Sequence, residues 1–403
     1  MADSYLWKRN LLVLWIGVFF CSTAYTVSIP FMPMFLRNDL GITNNLTLWS
    51  GFAFGITFLA SALIAPYWGS LSDKYGRRPM LIRSGFALAA LYMVTYFVHD
   101  PYVFLGVRVG QGLLAGFVPA AIALVATNTP ENKAGYALGI MATASATGGI
   151  IGPLIGGLVS HYFSNRESFI FSGFIVLVSA LIAVFFVKEH KFNRSAVRSP
   201  IREDLKEAFS NKVLVTMLGL VSLGTFSVMI LEPLLTVYMM DIGGSDGNAS
   251  LLAGVVFSAV GIATLIAAPQ WGKFGPRIGY TNVLVIGLMG GGIGNLLQFF
   301  AHNFVAFGAL RFLYGLCFAG VYPSLNALIV KVTAPEFRGR AFALNQSATQ
   351  LATMMGPIIG GALGGVIPIR WVFVLNGTML IIAALLIRSR HLERHAELAA
   401  ERA

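Results

Sequence analysis

The sequence predicts an all-α integral membrane protein with twelve transmembrane helices in two pseudo-symmetric six-helix halves and both termini cytoplasmic. Three observations carry this. The 403-residue chain is 56% hydrophobic and only 11% charged, against about 25% charged residues in a typical soluble domain. Apolar runs of roughly 20 residues, the length a helix needs to cross a bilayer, occur twelve times. The second half also repeats the first at an offset of 203 or 204 residues: Pro30 recurs as Pro233, Arg108 as Arg311, and Gly152-Pro153 as Gly356-Pro357.

The runs cover about 10–36, 48–72, 78–98, 101–126, 135–160 and 166–188, then about 211–240, 249–272, 280–300, 303–330, 339–366 and 369–388. Inside a bilayer every backbone polar group must be bonded internally. Continuous apolar runs without polar alternation achieve this as helices, not as barrel strands. Leu11–Phe20 resembles a signal-peptide core, but the apolar run continues to Phe35 with no small-residue cleavage pattern, so it reads as the first span. The polar stretch Lys188–Lys212 divides six spans from six. The expected organisation is an N-terminal bundle at 1–188, a linker at 189–210 and a C-terminal bundle with a short tail at 211–403. Within the linker, Ile201, Leu205, Ala208 and Phe209 recur at helical spacing and predict a short amphipathic surface helix. The other loops are short and leave no room for a further soluble domain.

A net charge of +11 would suggest nucleic acid in a soluble protein, but its distribution points elsewhere. Arg37, Arg166 and Arg370 fall in loops on one side, Arg108 and Arg311 fall inside spans, and the remaining Lys and Arg gather on the opposite side with both termini. The side rich in positive charge is cytoplasmic. The excess is therefore a topology signal for a multi-pass inner-membrane protein, with contact to membrane lipids as a secondary effect and no nucleic-acid partner. Cys21 and Cys317 lie within spans and read as small packing residues. His99, His161 and His302 lie near external loops without a second metal ligand. No P-loop, nucleophile elbow or dinucleotide fingerprint occurs, so no cofactor, metal or enzymatic activity is expected.

Two charges sit where charge is costly. Arg108 lies well inside the fourth span, with Gln111 one turn further on the same helix face. It reads as a cavity charge, with structural hydrogen bonding as the rival reading; for Arg311, in the corresponding place of span ten, the structural reading leads. Glu232 is the one carboxylate clearly inside an apolar span. Glu232 and Arg108 are the proton-coupling candidates. Glu232 stands 20 residues after Lys212, or about 30 Å of helix, near the outer edge of the hydrocarbon, where reaching out to water is the alternative. Tyr25, Gln111, Met229, Tyr238, Arg311, Tyr314, Asn326, Asn345 and Gln346 offer aromatic, thioether, amide and cationic groups for a substrate cavity. Helix packing is the rival reading for each.

The loop after span two reads Gly69-x-Leu71-x-Asp73-x-x-Gly76-Arg77-Arg78. In a twelve-span setting it resembles the hallmark cytoplasmic loop of the major facilitator superfamily. The resemblance implies a conformational latch formed by Gly69, Asp73, Gly76, Arg77 and Arg78, with Asp73 docking near span eleven in one state. Pro276 replaces the acid in the second copy, so the latch is one-sided. Gly148, Gly152-Pro153 and Gly156-Gly157 in span five, repeated as Gly356-Pro357 and Gly360 in span eleven, resemble the antiporter motif of drug/proton exporters. Ordinary close helix packing explains the glycines themselves equally well. Arg108-x-x-Gln111-Gly112 resembles the family's span-four motif, associated with proton coupling.

With Trp7–Leu11, Leu48–Gly51, Gly116–Pro119 and Asn345–Ser347, the order of motifs is similar to that of the MdtG-type multidrug resistance transporters. The resemblance spans essentially all twelve runs. It implies export of a small lipophilic substrate in exchange for protons by alternating access; the chain is expected to work as a monomer. An exporter of sugars or other metabolites, a nutrient importer, a non-transporting receptor or scaffold, and a channel or lipid scramblase are the alternatives. Gradient-dependent, stoichiometric flux separates a transporter from the last two classes.

Overall fold

The computed structural model describes residues 2–189, 206, 208–242, 248–333 and 337–389. Among these residues no strand occurs. The helices are α1 (Ala2–Val27), α2 (Met32–Met34), a π-helical turn (Phe35–Asp39), α3 (Leu46–Tyr75), α4 (Arg77–Thr95), α5 (Pro101–Leu114), α6 (Phe117–Asn128), α7 (Glu131–Tyr162) and α8 (Asn165–Phe186). They continue as α9 (Lys212–Met229), α10 (Glu232–Asp241), α11 (Ala249–Ile278), α12 (Tyr280–Gln298), α13 (Phe304–Phe318), α14 (Val321–Val332), α15 (Arg338–Val366) and α16 (Ile369–Ser389). Ten segments among the described residues are long and apolar enough to cross a membrane. The expected third and eleventh spans, α4 and α15, are helical but more polar. The expected surface helix Ile201–Phe209 and the tail beyond Ser389 fall mostly or wholly outside the described residues.

Four expected spans are not continuous. Span one breaks after Val27, span four at Ala115-Gly116, span seven after Met229 and span ten at Ala319-Gly320. Each break lies just before a proline: Pro30, Pro119, Pro233 and Pro323. A proline leaves the carbonyl four residues earlier without its N–H donor and crowds it. At spans four and ten a glycine stands three residues before the proline, and Gly116 adopts φ 138°, open to glycine alone. Pro66, Pro153, Pro269, Pro276 and Pro357 remain inside continuous helices.

Caps fix where the corresponding helices start. The Asp100 carboxylate accepts from the N–H groups of Tyr102 and Val103 at 2.8 and 2.9 Å, and Asn303 accepts from Ala306 at 2.8 Å. These two caps hold equivalent places in the repeat. Each sets the phase of a helix that carries a buried arginine eight residues later, Arg108 or Arg311.

The chain divides into two units. One comprises Met1–Ala196, Leu235–Met240 and Gly244–Ser258; the other comprises Val197–Leu234, Asp241–Gly243 and Ala259–Ala403. The first unit has an aromatic core in which Phe169 meets Phe31 and Phe35 edge-on at 5.1 and 4.9 Å. Arg166, in the first turn of α8, donates to Asp39 at 3.0 Å and to the carbonyls of Tyr96 and Val98 at 2.7 Å, pinning the π-helical turn and the loop after α4 to the start of α8. The second unit is built around Leu284, Leu288, Tyr314, Phe318 and Leu380, all buried.

Candidate functional site

Arg108 is fully buried in the first unit. Its Nε donates to the carbonyl of Ala53 at 2.8 Å and its Nη1 to Gln111 Oε1 at 2.9 Å. The guanidinium lies 5.9 Å from the Phe54 ring centre. Gly112 makes this arrangement possible: a Cβ there would strike the Thr57 carbonyl and crowd Ala60, so α5 and α3 meet backbone to backbone. Nη2 of Arg108 and the amide nitrogen of Gln111 have no hydrogen-bond partner among the described residues. The expected i, i+3 pairing of Arg108 with Gln111 is present. Both side chains lie within the packed unit. Tyr25, half-buried, meets Phe58 edge-on at 5.8 Å.

The loop after α3 shows why Gly76 is glycine: its φ is 98°. A Cβ on Gly69 would meet nothing within 4 Å. Asp73 lies in the last helical turn of α3, and its side chain is outside the described residues. The charge that organises the described loop is Glu189, which sequence reasoning had placed in the linker. Its carboxylate accepts from the backbone N–H groups of Arg77 and Arg78 at 3.0 and 2.9 Å, at the start of α4, where backbone donors and the helix dipole favour an anion. The Arg77 side chain donates to Thr127 at 2.6 Å and that of Arg78 to the Val184 carbonyl at 2.7 Å. The loop thus ties α4 to α6 and to the end of α8.

The glycine faces are close-packed on the broken spans. A Cβ on Gly148 would lie 2.7 Å from the Phe19 carbonyl, and one on Gly152 the same distance from that of Thr23. One on Gly156 would strike the Val27 carbonyl, where α1 ends. The second unit repeats this: a Cβ on Gly356 would press on Met229, and one on Gly360 would strike the Ile230 carbonyl, just past the end of α9. A Cβ on Gly157 would lie 2.9 Å from the Ser250 carbonyl, a further close approach in the first unit. Pro153 and Pro357 sit inside continuous helices that face these breaks.

A second repeated contact escaped the sequence reading. The indole N–H of Trp68 donates to the Leu113 carbonyl at 2.7 Å, and that of Trp271 to the Leu316 carbonyl at 2.8 Å. Both acceptors lie just before a break, where helical N–H partners run out. The 203-residue offset linking Trp68 to Trp271 was the signal that could have revealed the pair.

In the second unit Arg311 is 4% exposed and lies 5.6 to 5.7 Å from the ring centres of Phe307, Tyr314 and Phe373. Its Nε and Nη2 lack hydrogen-bond partners among the described residues. Asn376 donates to the Ser227 carbonyl at 2.9 Å nearby in the same core. Tyr314 is buried and stacks on Phe318 at 5.2 Å. Glu232 does not sit mid-helix. It occupies the first turn of α10, a helix end that attracts negative charge. It is buried, and no hydrogen bond or ion pair to its carboxylate is found among the described residues. Tyr238 is buried, Met229 and Asn345 are half-buried, and Asn326 and Gln346 are exposed. No group of three or more metal-ligating side chains occurs among the described residues.

Comparison with known proteins places these features in context. Residues 14–262 and 247–403 match the family model described as Major Facilitator Superfamily. The chain is 37% identical over 374 residues to the multidrug resistance protein MdtG of Proteus mirabilis (strain HI4320), covering 91% of this chain and 92% of the relative. It is 33% identical over 387 residues to that of Citrobacter koseri (strain ATCC BAA-895), covering 94% of each. Among solved structures, a D-xylose-proton symporter aligns with a TM-score of 0.77 at 15% identity, over 94% of this chain and 97% of the other. A nucleoside transporter, NupG, aligns with a TM-score of 0.77 at 14% identity, over 94% and 98%. At such identities the structural likeness speaks for the fold alone.

Proposed function

The chain belongs to the Major Facilitator Superfamily, in the group of MdtG-type transporters, and from that premise we propose that it exports lipophilic or amphipathic drugs across the inner membrane in exchange for protons. It is a multi-pass inner-membrane transporter and not an enzyme. In this reading the chain spans the membrane twelve times with both termini cytoplasmic. Residues 1–188 and 211–403 form the two halves, joined by the linker at 189–210. Substrate is exposed to one side of the membrane and then to the other.

The observation that carries the reading is the pair of glycine faces on α7 and α15. Each packs on the carbonyl at a break in the first helix of its own half, at Val27 and at Ile230. A tight, repeated seal beside two helix breaks suits a protein that must change conformation without leaking protons. The likeness to multidrug resistance proteins over more than nine-tenths of the chain supports drugs as cargo. Arg108, with an Nη2 unpaired among the described residues beside Gln111, and Glu232, with no ionic partner found among the described residues, are the proposed proton-coupling groups. Tyr25, Met229, Asn326, Asn345 and Gln346 are the proposed substrate contacts. For coupling, protonation must stabilise one conformation more than the other.

Inverted membrane vesicles test this. A pH gradient should drive accumulation of a lipophilic cation, and Glu232→Gln should abolish it while the protein remains in the membrane. Undiminished uptake by that variant would move the proton site towards Arg108. Uptake indifferent to the gradient in the wild type would refute proton exchange.

A further inference from the structure

The two units treat their repeated arginine differently. Arg108 donates to the Ala53 carbonyl and to Gln111 Oε1. Arg311 donates to no described residue, and no ion pair to it is found among the described residues. The repeat itself accounts for the difference. Tyr314 stands 203 residues after Gln111, so an amide oxygen that accepts gives way to a phenol whose O–H donates. Arg311 and Tyr314 share a helix face at i, i+3 spacing. The Tyr314 hydroxyl is also buried and without a partner among the described residues, as is that of Ser227 on α9. The second unit thus gathers donors where the first pairs a donor with acceptors.

Charge selects what completes this cluster. A guanidinium keeps its proton at cellular pH, so its burial calls for an opposite charge. The rings of Phe307, Tyr314 and Phe373 attract the cation, but they offer its N–H groups no lone pair in the guanidinium plane. The described carboxylates of this unit are Glu232 and Asp241, and neither forms an ion pair with Arg311. The unpartnered Asn376 Oδ1 is neutral, and like water it cannot balance a charge. Arg311 keeps 4% of its surface open, whereas Arg108 keeps none, so there is a way in for something small. We propose that Arg311 is the centre of a buried binding site for a monovalent inorganic anion of halide size, chloride in the cell, held by Nε and Nη2 of Arg311 and by the Tyr314 hydroxyl. One such ion cancels one guanidinium, and three rings leave no room for a larger hydrated anion. The site does not depend on the proton-coupled export proposed above.

Thermal unfolding of the purified full-length protein tests the site, with sodium chloride or bromide exchanged for sodium gluconate at constant ionic strength. Wild type should show a saturable rise in melting temperature of about 2 °C in either halide. Arg311→Gln should abolish that response. Tyr314→Phe keeps the ring and its stacking on Phe318, and so guards against a variant that merely fails to fold. It should raise the half-saturating halide concentration roughly tenfold, the worth of one hydrogen bond to a charged group. Crystals grown in bromide should show an anomalous peak beside the Arg311 guanidinium. A wild-type melting temperature indifferent to halide would mean that water completes the cluster, and would overturn the proposal. A response that survives either substitution unaltered would overturn it too, as would bromide bound only elsewhere or a carboxylate seated on Arg311.

Discussion

Arg108 commits two of its five N–H donors to the Ala53 carbonyl and the Gln111 side chain, and Nη2 is left without a partner among the described residues. A lysine presents a single ammonium and cannot reproduce that fork. Arg108→Lys should therefore cost about 1.5–3 kcal/mol for a lost charged hydrogen bond, read as a lower melting temperature, and should weaken drug-linked proton release. Unchanged release would reduce Arg108 to a structural role. Glu189 acts differently, because its carboxylate caps α4 from the end of α8. Glu189→Ala should cost about 1 kcal/mol, with partial rescue by Gln, checked by thermal unfolding. Asp73→Asn should weaken transport while expression persists, and wild-type transport by that variant would remove the latch. The Arg108–Gln111 contact is legible in the sequence because i, i+3 spacing places both on one helix face. The Glu189 contact is not, because no local pattern says that a loop carboxylate turns back to a helix start 112 residues earlier.

At the scale of elements, the breaks do most to shape the helices. Hydropathy is blind to them, since the apolar run through Val27 or Met229 continues across the break. The prolines are visible, but five others stay within unbroken helices, so proline alone does not mark the site. At spans four and ten, the glycine three residues earlier adds freedom at the point where the donor is lost. The glycine faces give a graded test. Gly156→Ala and Gly360→Ala place a methyl against a backbone carbonyl and should cost about 1–3 kcal/mol as overpacking, with transport reduced. Gly149→Ala, one position from Gly148 but facing open space, should be neutral in both assays. Equal behaviour of all three variants would mean that the faces are not the tight seal described above. Trp68→Phe should leave the Leu113 carbonyl unpaired at a cost of about 1–3 kcal/mol, measurable by denaturation of the purified protein.

For the molecule as a whole, the repeat is what the sequence displays most plainly. Matching offsets at Pro30, Arg108 and Gly152 reappear as matching breaks, buried arginines and glycine contacts in three dimensions. Composition alone establishes the membrane, because charge this sparse cannot solubilise a chain of this length. The cavity residues are harder to read. Tyr238, Gln111, Arg311 and Tyr314 are buried inside the units, whereas Asn326 and Gln346 are exposed. Residue type distinguishes a packed amide from an accessible one poorly, and only the fold assigns each its face. The proposed proton-coupled drug export ties these parts together. Its most direct test uses the purified protein in liposomes under an imposed pH gradient, with a lipophilic cation outside and a pH dye in the lumen. The account predicts drug accumulation matched by proton release in fixed ratio, both lost when a protonophore collapses the gradient. Drug movement indifferent to that collapse, or no drug-linked proton flux, would contradict it.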